Sequence, residues 1–263
     1  MKITIIGAGN MGGALAKGWA KVATNDNIDI TVTARSQSTL DKIKVASPTL
    51  HCSQSNTEAI QGADIIVLAV KPWLIGNVVE EIRHSIDADK QILVSVAAGI
   101  TTDKLAEMFN GSPLPPLYYA MPNIAAEYGE SMTFVAAAAN CTNQQTKSVA
   151  DLFRLVGQVK VCEERMIAPG MMMAGCGIAY VMRYLRAQME GGVEMGFYPA
   201  DALNIAMQTM QGAVTLLKET GLHPEAAIDK VTTPGGTTIK GLNELDHSGF
   251  NSAVINSLKA GLK

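Results

Sequence analysis

The sequence predicts an α/β chain: a doubly wound, mostly parallel sheet over residues 1–161, followed by an all-helical domain over residues 162–263. Three observations predict it. The first ~160 residues alternate short β-branched runs with helical stretches, the rhythm of a parallel sheet covered by helices. Near-continuous apolar runs such as Ile65-Ile66-Val67-Leu68 suit strands buried on both faces. Beyond Val161 the β-branched runs almost cease, and Met, Ala, Leu and Gly take over with helix start and stop signals.

Strands are expected at 2–6, 28–33, 64–69, 91–96, 117–120, 131–136 and 156–161, and a first helix at 11–22. In the second half Pro199 stands where a first helical residue belongs and Gly221 where a left-handed stop belongs, and His223-Pro224 opens the next helix. Small residues at Ala174, Gly175, Cys176, Gly177, Gly191, Gly192 and Gly212 suit closely packed helices. A helical half of about 100 residues buries little surface alone, so it is expected to pair with a second copy as a homodimer.

With 48% hydrophobic and 17% charged residues in 263, the chain can bury a full core, which excludes disorder. A formal net charge of -3 offers no general attraction to nucleic acid or to an anionic membrane surface. The first apolar run starts at Ile3, leaving no room for a cleavable leader, and runs such as 63–70 and 132–139 fall short of the ~20 residues of a membrane helix. A cytoplasmic protein is expected, with small molecules and copies of itself as partners. Cys52, Cys141, Cys162 and Cys176 are scattered, and His51, His84, His223 and His247 form no cluster, so no metal site is expected.

Gly7-Ala8-Gly9-Asn10-Met11-Gly12 is a G-x-G-x-x-G that follows a strand and opens a helix, the context this motif requires. Its glycines allow a tight turn, close approach of a pyrophosphate and helix–strand packing. The expected domain is therefore Rossmann-like; the competing reading is a merely tight βα turn. After the second strand come Arg35-Ser36, with no carboxylate between Asp29 and Asp41. A guanidinium and a hydroxyl suit a 2′-phosphate, so NADPH is expected, with NADH as the alternative. Ala69-Val70-Lys71-Pro72 and Val96-Ala97-Ala98-Gly99 end two further strands at carboxyl edges where ligands bind. Met121-Pro122-Asn123 ends a third, and the Asn123 amide is a candidate contact for cofactor or substrate.

Thr233-Pro234-Gly235-Gly236-Thr237-Thr238 precedes a helical pattern reaching about Asp246. Exposed backbone N–H groups and hydroxyls there would make a small anion site fit for a carboxylate. The alternative is a rigid loop with Thr237 as an ordinary N-cap.

These landmarks, G-A-G-N-M-G at 7–12, A-V-K-P at 69–72, A-A-G-I at 97–100, M-P-N at 121–123 and T-P-G-G-T-T at 233–238, strongly resemble the pyrroline-5-carboxylate reductase family along nearly the whole chain. The resemblance implies hydride transfer from NADPH to the C=N bond of 1-pyrroline-5-carboxylate, giving L-proline. It implies that Gly7 to Gly12, Arg35, Ser36, Asn56, Ala69 to Pro72, Val96 to Ala98, Met121 and Asn123 line the cofactor site. Thr233, Gly235, Gly236, Thr237 and Thr238 would hold the substrate, with the Thr238 hydroxyl near the ring nitrogen and Glu164 at the substrate end. An interlocked dimer, often in a ring of five, is implied as well.

The chain departs from the family pattern at two places. Tyr119-Ala120-Met121-Pro122-Asn123-Ile124-Ala125 stands for R-x-M-P-N-T-P, and Ala174-Gly175-Cys176-Gly177-Ile178-Ala179-Tyr180 for S-G-S-G-P-A-Y. Two other readings compete. A β-hydroxyacid dehydrogenase would need a lysine to polarise a carbonyl, and residues 164–196 contain Arg165, Arg183 and Arg186 but no lysine. A non-catalytic dinucleotide sensor would not need the Thr237-Thr238 pair.

Overall fold

The computed structural model describes residues 1–26 and 28–262, the side chains of 24–26 excepted. Two compact units are present, Met1–Gly175 and Cys176–Lys263. In the first, strands and helices alternate: β1 (Lys2–Ile6), α1 (Asn10–Asp26), β2 (Asp29–Thr33), α2 (Gln37–Ala46), β3 (His51–Ser53), α3 (Asn56–Ala59) and β4 (Ile65–Leu68). There follow α4 (Ile75–Ile82), β5 (Ile92–Ser95), α5 (Thr102–Glu107), β6 (Leu117–Met121), β7 (Ser131–Ala137), α6 (Asn143–Arg154), β8 (Gly157–Val161) and the short α7 (Ile167–Gly170).

The eight strands form one sheet in the order β3-β2-β1-β4-β5-β6-β7-β8. Every pairing is parallel except β6 with β7. The alternation of side chains along each strand explains the two-sided core. Ile3, Ile5, Ile65 and Val67 point to one face, where they meet Leu15 and Trp19 of α1 and Val149, Leu152 and Phe153 of α6. Ile6, Ile66, Leu68 and Leu93 point to the other, against Ile75, Val79 and Ile82 of α4 and Leu105 of α5. Each such fully buried aliphatic side chain contributes about 1.5–3 kcal/mol, which is why these runs carry no polar alternation. The one polar residue inside β1, Thr4, satisfies its hydroxyl on the Ala59 carbonyl at 2.6 Å.

All seven expected strands are present, with bounds shifted by a residue or so, and β3 is an addition. His51–Ser53 has no apolar run of its own; it exists because it pairs in register with Thr31–Thr33 of β2. The expected divide after 161 follows the last strand, whereas the compact units meet at 175/176. Ile167 and Met171 pack with Tyr119, Met121 and Ala136 on the sheet, and a Cβ at Gly170 would come within 2.6 Å of the Phe134 ring. That packing binds the start of the helical half to the first unit.

The second unit is all-helical: α8 (Gly177–Glu194), α9 (Pro199–Thr220), α10 (Pro224–Val231), α11 (Thr237–His247) and α12 (Phe250–Ala260). Pro199 begins α9, and Gly221 ends it in a left-handed conformation with φ of 63°. Gly192 of α8 meets Ala202 of α9 so closely that a Cβ there would lie 2.9 Å from the Ala202 Cβ, the close approach the small residues foretold. A π turn at Met171–Cys176 joins α7 to α8, so Glu164–Glu194 is a run of 31 residues, by length and composition enough to cross a membrane. Its parts are short apolar stretches, and only their continuity makes the length.

Candidate active site

β1 delivers the chain into the glycine turn. Gly7 has a φ of 105°, its N–H donates to the Thr33 carbonyl at 3.1 Å, and a Cβ on it would lie 2.7 Å from Val70 Cγ1. A Cβ on Gly12 would collide with the Gly7 carbonyl oxygen and touch the Ala69 Cβ at 3.0 Å. Gly9 differs: no heavy atom lies within 4 Å of where its Cβ would be. Two glycines therefore close the turn on the protein, and the third leaves a bare, exposed backbone at the start of α1. That is the cradle a pyrophosphate requires, with the first N–H groups of α1 beside it.

The parallel order sets four other loops along the same carboxyl edge. After β2, Arg35 and Ser36 are exposed. Among the described residues no group pairs with the Arg35 guanidinium, while its carbonyl accepts from Gln54 Nε2 at 3.0 Å. Ser36 is the N-cap residue of α2 but makes no side-chain cap; its hydroxyl meets that of Ser38 at 2.7 Å. A helix start without a cap, a free guanidinium and two hydroxyls suit a phosphate dianion. Asn56 stands behind this loop. Its Oδ1 accepts from the Thr33 hydroxyl at 2.6 Å, and its Nδ2 donates to Glu81 at 2.9 Å, which ties the end of β2 to α4.

After β4, Ala69 is buried, Val70 and Pro72 are half-buried and Lys71 is exposed. After β5, Val96 and Ala97 are buried while Ala98 and Gly99 are exposed. This second loop is held firmly. The Gly99 N–H donates to the Tyr119 hydroxyl at 2.9 Å and its carbonyl accepts from Lys104 Nζ at 3.0 Å. Thr102 donates its N–H to both Glu164 carboxylate oxygens at 3.2 Å and its hydroxyl to one of them at 2.6 Å. Burial pushes the Tyr119 phenol above its ordinary range, the Gly99 N–H opposes the rise and the neighbouring Glu164 charge adds to it. None of these links has a local sequence signature, and sequence reasoning missed Thr102, Lys104 and the placement of Tyr119.

Met121 ends β6 and Asn123 follows it; both are almost fully buried. The Asn123 amide is engaged inside the chain: Oδ1 accepts from the Ala125 N–H at 3.0 Å and Nδ2 donates to the Ala174 carbonyl at 3.3 Å.

In the second unit, Thr233 to Gly236 form a tight turn closed by the Gly236 N–H on the Thr233 carbonyl at 2.9 Å. Pro234 at its second position and Gly235 at its third, with a φ of 73°, are the residues such a turn demands. Gly236 is the N-cap of α11 and Thr237 its first residue, so Thr237 is not a cap. No side chain caps this helix start, and among the described residues the Thr237 and Thr238 hydroxyls have no hydrogen-bond partner.

A mostly parallel sheet whose first strand empties into this glycine turn, with an exposed guanidinium at the end of the second, defines a dinucleotide-binding oxidoreductase. Residues 2–99 match the family described as NADP oxidoreductase coenzyme F420-dependent, and residues 164–263 match Pyrroline-5-carboxylate reductase dimerisation. A pyrroline-5-carboxylate reductase of Escherichia coli (strain K12) is 35% identical over 259 residues, covering 98% of this chain and 94% of that protein. Pyrroline-5-carboxylate reductase 1 of Dictyostelium discoideum is 34% identical over 97% of this chain, which spans 48% of that longer protein. The crystal structure of Plasmodium falciparum pyrroline carboxylate reductase with NADP bound superposes with a TM-score of 0.87 at 28% identity, covering 99% of this chain and 95% of that one. The chain belongs to the pyrroline-5-carboxylate reductase family.

Proposed function

We propose that this chain reduces the C=N bond of 1-pyrroline-5-carboxylate with NADPH and releases L-proline. The observation that carries the proposal is the start of α11, an uncapped helix end behind a Pro-Gly turn with two threonine hydroxyls that have no hydrogen-bond partner among the described residues. Together they offer N–H groups for a carboxylate and an O–H for the ring nitrogen. Residues 7–12 would hold the pyrophosphate, Arg35 and Ser36 the 2′-phosphate, and 69–72 with 96–98 the nicotinamide riboside. Asn56, Met121 and Asn123 would shape that site from behind, since their polar groups are engaged within the chain or buried. NADPH, when bound, supplies the hydride from C4 of its nicotinamide.

The chain's own part in the reaction is positioning and charge. A protonated C=N is the better hydride acceptor, so the site must favour the cation and hold its carbon still. Thr237, Thr238 and the N–H groups at the head of α11 anchor the substrate carboxylate. The Thr238 hydroxyl hydrogen-bonds the ring nitrogen and relays from water the single proton that makes the C=N cationic, so that hydride addition leaves the amine. Residues 162–263 would serve as the substrate and dimer domain. The apolar side chains exposed on α8, among them Val181, Met182 and Tyr184, would pair with a second copy. A ring of five dimers in the cytoplasm completes the proposal.

The test is NADPH oxidation by the purified protein with 1-pyrroline-5-carboxylate, a panel of other cyclic imines and several keto acids. Turnover confined to cyclic imines bearing a carboxylate is the expected result. No turnover at high enzyme concentration, or turnover of keto acids alone, would overturn the proposal.

A further inference from the structure

The loop between β5 and α5 is pinned at two places, Gly99 and Thr102. At its near end the buried Tyr119 takes the Gly99 N–H at 2.9 Å; at its far end Glu164 takes the N–H and hydroxyl of Thr102. The Gly99 peptide is thereby fixed on both sides, since Lys104 holds its carbonyl at 3.0 Å. Tyr119 is itself rigid: it lies opposite Ser95 on β5 and Ala136 on β7, packed with Met121, Ala136 and Ile167, and 5% exposed.

We propose that Tyr119 is a positioning residue for hydride transfer, setting through Gly99 the loop 96–99 against which the nicotinamide rests. This deepens the functional reading above and rests on it. The chemistry is particular to a phenol. A tyrosine hydroxyl accepts the Gly99 N–H, whereas an arginine has five donors and no acceptor. This chain therefore holds the loop by an acceptor that arginine cannot supply, and an arginine here would instead draw the Glu164 carboxylate away from Thr102. Burial raises the phenol's pKa further above its ordinary range, which favours the neutral hydroxyl.

The test compares wild type with Tyr119→Phe and Tyr119→Arg, using NADPH carrying deuterium at C4. Phe keeps the ring and removes the acceptor, leaving one N–H unpaired, which corresponds to about a tenfold effect. The expected result for Tyr119→Phe is a kcat lower by about tenfold, an NADPH KM within about twofold of wild type and a larger deuterium isotope effect, as hydride transfer becomes slow relative to release. Tyr119→Arg should be impaired at least as much. Should either variant fail to fold, Thr102→Val frees the other end of the same loop and should give the same pattern. A folded Tyr119→Phe with wild-type kcat and isotope effect, or a Tyr119→Arg as active as wild type, overturns the inference and leaves the proposed activity standing. A wild type that reduces no imine overturns both.

Discussion

Gly12 faces the carbonyl oxygen of Gly7 across the first turn of α1 so closely that a Cβ on Gly12 would overlap it. Gly9, between them, has no heavy atom within 4 Å of where its Cβ would be. The two positions should therefore fail differently when changed to alanine. Gly12→Ala must move backbone, so both the unfolding temperature and NADPH binding should fall. Gly9→Ala meets no protein atom, so its unfolding temperature should stay within about 2 °C of wild type. Its NADPH affinity should nonetheless drop by about tenfold, because the new methyl group occupies the approach of the pyrophosphate. Thermal unfolding and a fluorescence titration with NADPH read both effects. Equal loss of stability in the two variants would mean that the turn does not open toward a ligand.

Arg35 bears on the choice of cofactor. Its guanidinium has no partner among the described residues, and no acidic side chain lies between Asp29 and Asp41 in sequence. Arg35→Asp removes a charge-assisted bond to the 2′-phosphate and places a carboxylate where ribose hydroxyls would sit. The ratio of kcat/KM for NADPH over NADH should fall by about ten- to hundredfold. Equal loss with both cofactors would show that the loop does not read the phosphate.

What the sequence disclosed follows from which signals are local. β1, β4 and β5 are legible because strands buried on both faces need unbroken apolar runs. The turn at 233–236 is legible because a proline followed by a glycine at positive φ leaves few other conformations. His51–Ser53 was not legible, because its strand character comes from its pairing with β2. The links from Gly99 to Tyr119 and from Thr102 to Glu164 span 20 and 62 residues, and nothing near either end announces them. The continuity of the run from Glu164 to Glu194 was not legible either, because it depends on a π turn at Met171–Cys176 that carries the helix through.

Thr238 should separate chemistry from cofactor binding. It lies in the first turn of α11, whereas the glycine turn and the Arg35 loop belong to the other compact unit. Thr238→Ala should lower kcat by about a hundredfold, the scale of a lost proton donor, with the NADPH dissociation constant unchanged. Thr238→Ser keeps the hydroxyl and should recover most of the rate. Steady-state kinetics with 1-pyrroline-5-carboxylate decide it: an alanine variant at wild-type rate removes Thr238 from the chemistry, and a serine variant as slow as alanine shifts the effect to packing.

Trp19 allows stability to be perturbed without touching the cradle. It is fully buried on α1, its Nε1 donates to the Leu152 carbonyl at 2.9 Å, and its ring meets the edge of Phe153 with centroids 5.4 Å apart. Trp19→Ala empties this space and should destabilise the first unit by about 3–5 kcal/mol. Trp19→Phe retains most of the packing but leaves the Leu152 carbonyl without its donor, so a loss of about 1–3 kcal/mol is expected. Because Trp19 sits about two helical turns beyond Gly12, the folded Phe variant should bind NADPH within about twofold of wild type. Urea unfolding and an NADPH titration on the same preparation check both halves. A Phe variant as stable as wild type but poor in NADPH binding would mean that the indole, rather than the glycines, sets the angle at which α1 meets the phosphates.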